Sequence, residues 1–204
     1  MIETPAYWLG MCAVAVCAVT GVLEGGRKRI DLFGLTVVAL ATALGGGTVR
    51  DLLLDRTVFW IADSTYLLVA MGASLATFVI ARLRPLPVRW LLAPDALGLA
   101  LFTVLGTQIA LDHGAGGFVA SLLGVITGVF GGVVRDVLCN EVPLVFTGEL
   151  YATAAWIGAL LLIGLYFLEV PRVIAMLIAV SMIFAVRMAG VHWRITLPAF
   201  TSRG

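Results

Sequence analysis

Charge is scarce along this chain. Asp, Glu, Lys and Arg make up 12% of its 204 residues, where a soluble domain carries about 25%, and the mean hydropathy is +1.09. A soluble globular protein is excluded, and the chain reads as an integral membrane protein. The formal net charge is only +1, and no basic stripe extends beyond short loops, so a nucleic-acid surface is excluded as well. Histidine is rarer still. His113 and His192 are the two present, in a loop and near the tail, and no His-Glu-x-x-His zinc motif occurs. No serine or cysteine of the apolar segments has a base close by in sequence. An enzyme therefore has no constellation to work with, and no cofactor or metal site is expected. Cys12, Cys17 and Cys139 all fall inside apolar segments and read as small packing residues. Met1-Ile2-Glu3 lacks the basic stretch of a cleaved leader, so the first segment is expected to persist as a helix.

What the chain has in quantity is apolar sequence of membrane-spanning length. About 20 apolar residues cross a bilayer as a helix. Seven segments qualify, roughly 5–23, 33–54, 65–82, 91–110, 117–139, 149–168 and 171–188. Glu169-Val170-Pro171-Arg172 alone divides the last two and reads as a tight surface turn. Arg27, Lys28, Arg29, Arg82, Arg84, Arg89, Arg194 and Arg203 fall on one side, and only Arg56 and Arg172 lie in loops on the other. The positive-inside rule puts the first group in the cytoplasm, with the N-terminus outside and the C-terminus inside a plasma (inner) membrane. Trp8, Trp60 and Tyr166 on the outer side, with Trp90 and Trp193 on the inner, suit interfacial belts.

Two of the segments carry the same interruption. ALGGGTVRDLLL from Ala43 and GVFGGVVRDVLC from Gly128 each place glycines and an Arg-Asp pair in a membrane-length apolar run. Their spacing of 85 residues also aligns Phe33 with Phe118, Leu53 with Leu138 and Tyr66 with Tyr151. A looser likeness, shifted by four residues, joins Thr4-Pro5-Ala6 to Ala93-Pro94-Asp95. Each unit holds three segments. An odd number makes the second copy enter the membrane from the opposite face, and a pathway belongs at the interface of such inverted repeats. The expected fold is an all-α integral membrane protein of seven transmembrane helices, two inverted three-helix repeats plus a seventh helix. It forms one domain over residues 1–188, with repeat one at 5–82, repeat two at 91–168, helix seven at 171–188 and a cytoplasmic tail at 189–204.

The glycines support two readings. Helix interiors tolerate glycine poorly, so Gly45, Gly46 and Gly47, and in the second copy Gly131 and Gly132 beside Phe130, are expected to break helices 2 and 5. Freed carbonyls could then replace part of a cation's hydration shell. Thr48 adds a hydroxyl at the first break, where the second copy has Val133. The other reading is close packing: Gly124, Gly128 and Gly132 are spaced by four and form a small-residue ridge. Arg50, Asp51, Arg135 and Asp136 are candidate pathway residues because intramembrane charges are costly and rarely idle, although each pair also sits near its segment's end and could snorkel. Neighbours on a helix do not face each other, so Arg50 is expected to pair with a group other than Asp51. Asp95, just after Pro94, is a first-turn acid and a candidate cation-attracting group at the inner mouth.

With Gly45 through Asp51, Gly131 through Asp136, Pro94-Asp95-Ala96-Leu97-Gly98-Leu99-Ala100, Asn140 through Phe146 and Glu149-Leu150-Tyr151-Ala152, the sequence resembles the prokaryotic branch of the trimeric intracellular cation (TRIC) channels. The resemblance runs to about residue 188. It implies a homotrimer in membrane lipid with a pore inside each subunit, passing potassium with some sodium, lined by helices 2 and 5. Animal members carry a Lys-Glu pair near the end of helix 2. Arg50-Asp51 stands there in this chain, so animal regulation does not transfer. Prokaryotic sequences of this type have also been labelled glycine transporters. A secondary transporter of a small amino acid is therefore the competing function.

Overall fold

In lipid every backbone polar group must be bonded within the protein, and a helix does so within one segment. The apolar stretches accordingly become helices. A computed structural model of the chain describes residues 5–28, 30–84, 91–147 and 150–196. Thr4, Arg29, Arg89, Trp90, Glu149 and Arg203, used in the sequence reading, lie outside the described residues. The helices are α1 (Pro5–Gly25), α2 (Leu32–Leu53), the short α3 (Phe59–Ala62), α4 (Thr65–Leu83), α5 (Leu92–Asp112), α6 (Gly117–Leu138), α7 (Ala152–Phe167) and α8 (Arg172–Trp193). Six of them, α1, α2, α4, α5, α6 and α8, are long and apolar enough to cross a bilayer. The chain is a multi-pass membrane protein. Helix α7 is apolar but has only 16 residues.

Local chemistry sets the helix ends. Asp31 caps α2 by accepting from the Gly34 N–H at 2.7 Å. Helices α2 and α6 stop in the same way, at residues 85 apart. Asp55 (φ 50°) and Asn140 (φ 53°) take the left-handed conformation, which Asp and Asn adopt more readily than other side chains. The next N–H of each, from Arg56 and Glu141, returns to the carbonyl of Asp51 at 3.0 Å and of Asp136 at 2.8 Å.

Helix α5 is the central post. It packs against α1, α6, α7 and α8 and buries Asp95, Thr103, Thr107 and Gln108 along with its apolar residues. The glycine helices are not broken. α2 runs from Leu32 through Gly45-Gly46-Gly47 to Leu53, and α6 runs from Gly117 through Gly131-Gly132 to Leu138, both as uninterrupted α-helix. What the glycines provide is approach. A Cβ built on Gly46 would overlap the carbonyl oxygen of Thr127 on α6, and one on Gly131 would overlap the carbonyl oxygen of Thr42 on α2. These two contacts are each other's counterparts at the spacing of 85. Gly124 and Gly128 seat α6 against Thr103 and Thr107 of α5 in the same manner. With close backbone packing to replace the missing side chains, the helices have no cause to unwind.

The last helix continues past the expected end at 188 to Trp193. Arg187, near its end, lies inside the protein. It is 1% exposed, with its guanidinium 4.9 Å over the ring of Tyr151.

Candidate functional site

Each Arg-Asp pair closes on itself. Arg50 Nε donates to Asp51 Oδ1 at 2.8 Å, and Arg50 Nη2 lies 2.7 Å from the same oxygen. Arg135 Nε donates to Asp136 Oδ1 at 2.8 Å, again with Nη2 at 2.8 Å. The expectation that Arg50 avoids its neighbour was wrong, for a physical reason. Each aspartate sits in the final turn and bends toward the returning loop, where its Oδ2 accepts an N–H eight residues on. The donor is Phe59 for Asp51, at 2.8 Å, and Leu144 for Asp136, at 3.1 Å. The arginine chain is long enough to follow. Both pairs are buried, with Arg50 3%, Asp51 0%, Arg135 1% and Asp136 4% exposed. They belong to the interior and do not snorkel.

The pairs differ in their third partner. Arg135 Nη1 donates to Asp95 Oδ1 at 2.7 Å, and Tyr151 directs its hydroxyl at the same oxygen from 3.5 Å. Asp95 is thus the counter-ion of a buried arginine as well as a first-turn acid. Arg50 has Asp51 as its ion-pair carboxylate among the described residues, and Arg56 Nε also approaches Asp51 Oδ1, at 3.5 Å.

A cavity opens beside each pair. One, of about 260 Å³, is lined by Glu24, Arg27, Arg135, Asp136 and Glu141 with apolar neighbours. The other, of about 100 Å³, is lined by Ala6, Gly10, Arg50, Arg56, Phe59, Tyr66, Phe102, Leu105 and Ile109. Gly10 and Glu24 on α1 are fourteen positions apart, about four turns and 20 Å along one helix face. Cys17 stands midway on that face. A Cβ on Gly98 of α5 would lie 2.6 Å from its Sγ. The cavities therefore lie toward opposite ends of α1 and α5, and the close approaches of Gly98 to Cys17 and of Gly46 and Gly131 to the neighbouring helix make a packed waist between those ends.

Of the remaining expected site residues, Gly47 faces Phe59, and Gly132 faces Tyr151 and Asp95. A Cβ on Gly45 would make only ordinary contact, 3.9 Å from Phe130 and Val134. Thr48 is engaged elsewhere: its hydroxyl donates to the Leu44 carbonyl at 2.8 Å and accepts from the Trp60 indole at 2.9 Å. The sequence reading missed Gly10, Glu24, Arg56 and Arg187. Glu24 is 3% exposed and accepts both contacts from Arg27 Nη1, at 3.0 and 3.1 Å. Arg187 was open to discovery as an ionisable residue deep in an apolar run. Gly10 carried no signal of its own.

The family model described as Glycine transporter matches the chain twice, over residues 7–82 and 92–167. The two matches stand 85 residues apart, the spacing of the Arg-Asp pairs. The crystallised TRIC trimeric intracellular cation channel orthologue from Rhodobacter sphaeroides is 38% identical, with a TM-score of 0.90 over 95% of this chain and 100% of that one. The chain belongs to this family, the prokaryotic TRIC group. Among its bacterial relatives, the UPF0126 inner membrane protein YadS of Escherichia coli K12 is 43% identical over 198 residues, 95% of each chain. A UPF0126 membrane protein of Vibrio cholerae is 41% identical over 197 residues, 95% of this chain and 82% of its own.

Proposed function

We propose that the chain is a monovalent cation channel, passing potassium with some sodium along a route inside each subunit of a homotrimer. The observation that carries this reading is the pair of cavities toward the two ends of one face of α1, each beside a buried Arg-Asp pair. The likeness to the Rhodobacter sphaeroides channel, named as a trimeric cation channel, supports both the ion class and the assembly. In this reading α7 completes seven spans, and residues 5–82 and 91–168 are inverted repeats about an axis in the membrane plane. The reciprocal Gly46–Thr127 and Gly131–Thr42 contacts support that axis. The transmembrane domain runs to the end of α8 at Trp193, with a cytoplasmic tail after it. The protein sits in the inner membrane with its N-terminus outside.

Gly46 and Gly131 hold the waist, Gly47 and Gly132 leave room at the cavity floors, and Arg50, Asp51, Asp95, Arg135 and Asp136 keep the helix ends together at the two mouths. Gly45 and Phe130 line the α2–α6 seam, and Thr48 ties α2 to Trp60 of α3. The larger cavity has three acids against two bases in its lining, a balance that attracts cations at the inner mouth. The alternative, secondary transport of a small amino acid such as glycine, is favoured by the description of the family model. Potassium-loaded vesicles containing the purified protein, read with a potential-sensitive dye, test the proposal. A potassium diffusion potential that forms without glycine supports the channel. Dependence on added glycine supports the transporter.

A further inference from the structure

The spacing of 85 relates Arg50 to Arg135, Tyr66 to Tyr151 and Gly10 to Asp95. In the second copy these residues form a closed set: a carboxylate between a guanidinium at 2.7 Å and a tyrosine hydroxyl at 3.5 Å. In the first copy the guanidinium and the tyrosine are present, but glycine replaces the carboxylate. The tyrosine keeps its place. A Cβ built on Gly10 would lie 3.1 Å from the Tyr66 hydroxyl oxygen, so a side chain there would grow toward that group as Asp95 does toward Tyr151. The looser alignment of Pro5 with Pro94 does not hold here, since it would pair Ala6 with Asp95. The space left open is the cavity of about 100 Å³.

Its charge matches the missing group. Arg50 and Arg56 line it, and among the described residues no acid does. Asp51, which sits behind them, is already bonded to Arg50 and to the Phe59 N–H. Two arginines thus share one aspartate, which leaves one surplus positive charge at this end, and the planar guanidinium fork suits a carboxylate. The volume equals roughly three waters, the size class of acetate or formate. The remaining walls, Ala6, Phe59, Phe102, Leu105 and Ile109, are apolar and bring no carboxylate to an ammonium group.

We propose that this cavity is a receptor for a small monocarboxylate anion, seated against Arg50 and Tyr66 where Asp95 sits against Arg135 and Tyr151. The site is independent of what the chain conducts. The bound anion also removes the surplus positive charge that a cation would otherwise meet at this mouth.

Calorimetric titration of the purified protein in detergent, in carboxylate-free buffer, tests this with acetate and glycine as probes. Saturable acetate binding at one site per subunit is expected, with glycine roughly tenfold weaker or worse. Gly10→Asp supplies the carboxylate internally and should weaken acetate binding by at least roughly tenfold. Asp95→Gly should create a second acetate site, raising the stoichiometry to two. No saturable acetate binding up to about 50 mM overturns the proposal, as does wild-type affinity in Gly10→Asp. Glycine binding as tightly as acetate overturns the exclusion of an ammonium group. Should Gly10→Asp fail to assemble, Asp95→Gly decides: a folded variant still binding a single acetate refutes the equivalence of the two ends.

Discussion

Alanine at Gly46 or Gly131 separates a packing role from a hinge role. Each new methyl would overlap a carbonyl oxygen, that of Thr127 or Thr42. Those carbonyls belong to helix backbone, so relief requires α2 and α6 to move apart along their seam. Overpacking of this kind costs about 1–3 kcal/mol, set against about 1 kcal/mol gained when alanine replaces glycine inside a helix. Each variant should therefore lose up to about 2 kcal/mol. The double variant should lose less than the sum, because both methyls press on one seam. Gly45→Ala and Gly72→Ala are the controls. The first would make only 3.9 Å contacts and the second meets nothing within 4 Å, so both should be neutral or gain up to about 1 kcal/mol. Thermal unfolding in one detergent, followed by tryptophan fluorescence, ranks the four. If Gly45→Ala were the most damaging while Gly46→Ala and Gly131→Ala melted at or above wild type, the packing argument would be refuted and a flexing glycine triplet restored.

Asp95→Asn removes one of the two carboxylates on buried Arg135, leaving Asp136 at 2.8 Å, at a cost of about 1.5–3 kcal/mol. Arg172→Ala breaks an exposed pair with Asp112 and should change the melting point little; equal losses in the two would sink the distinction. Cys17→Ala removes the sulfur that meets Gly98 at the waist and should raise the unitary conductance, whereas an unchanged conductance puts the route elsewhere. Lys28, hydrogen-bonded to Glu141 at 2.6 Å, holds that carboxyl below its ordinary value of 4.5. Because the native value is the depressed one, the pair's contribution is complete above the ordinary value and fades as pH falls through the native one. The stability difference between wild type and Glu141→Gln should thus be steady near neutrality and shrink on acidification below the ordinary carboxylate range. A difference that grew on acidification would contradict the pairing.

Much of the architecture was legible because the bilayer imposes it. The apolar helices and the repeated Arg-Asp motif follow from apolar run length and from the rarity of intramembrane charge. The glycines were not legible in the same way. Composition at Gly45-Gly46-Gly47 cannot distinguish a helix that unwinds from one that packs closely, because the deciding contact, the Thr127 carbonyl, lies on a segment 81 positions away from Gly46. Arg50 misled for a related reason. Its partner is its own neighbour only because Asp51 turns to the Phe59 N–H, a loop bond that helix periodicity does not contain. Gly10 shows the limit most clearly: its meaning arises from the absence of what Asp95 supplies in the other copy, visible only once both ends are compared.

Single-channel recording of the purified protein in planar bilayers under a potassium gradient, with glycine added afterwards, is the direct test of the proposed function. Discrete openings that reverse near the potassium equilibrium potential and ignore glycine are predicted. An electrically silent protein that takes up glycine in parallel vesicles would contradict the channel.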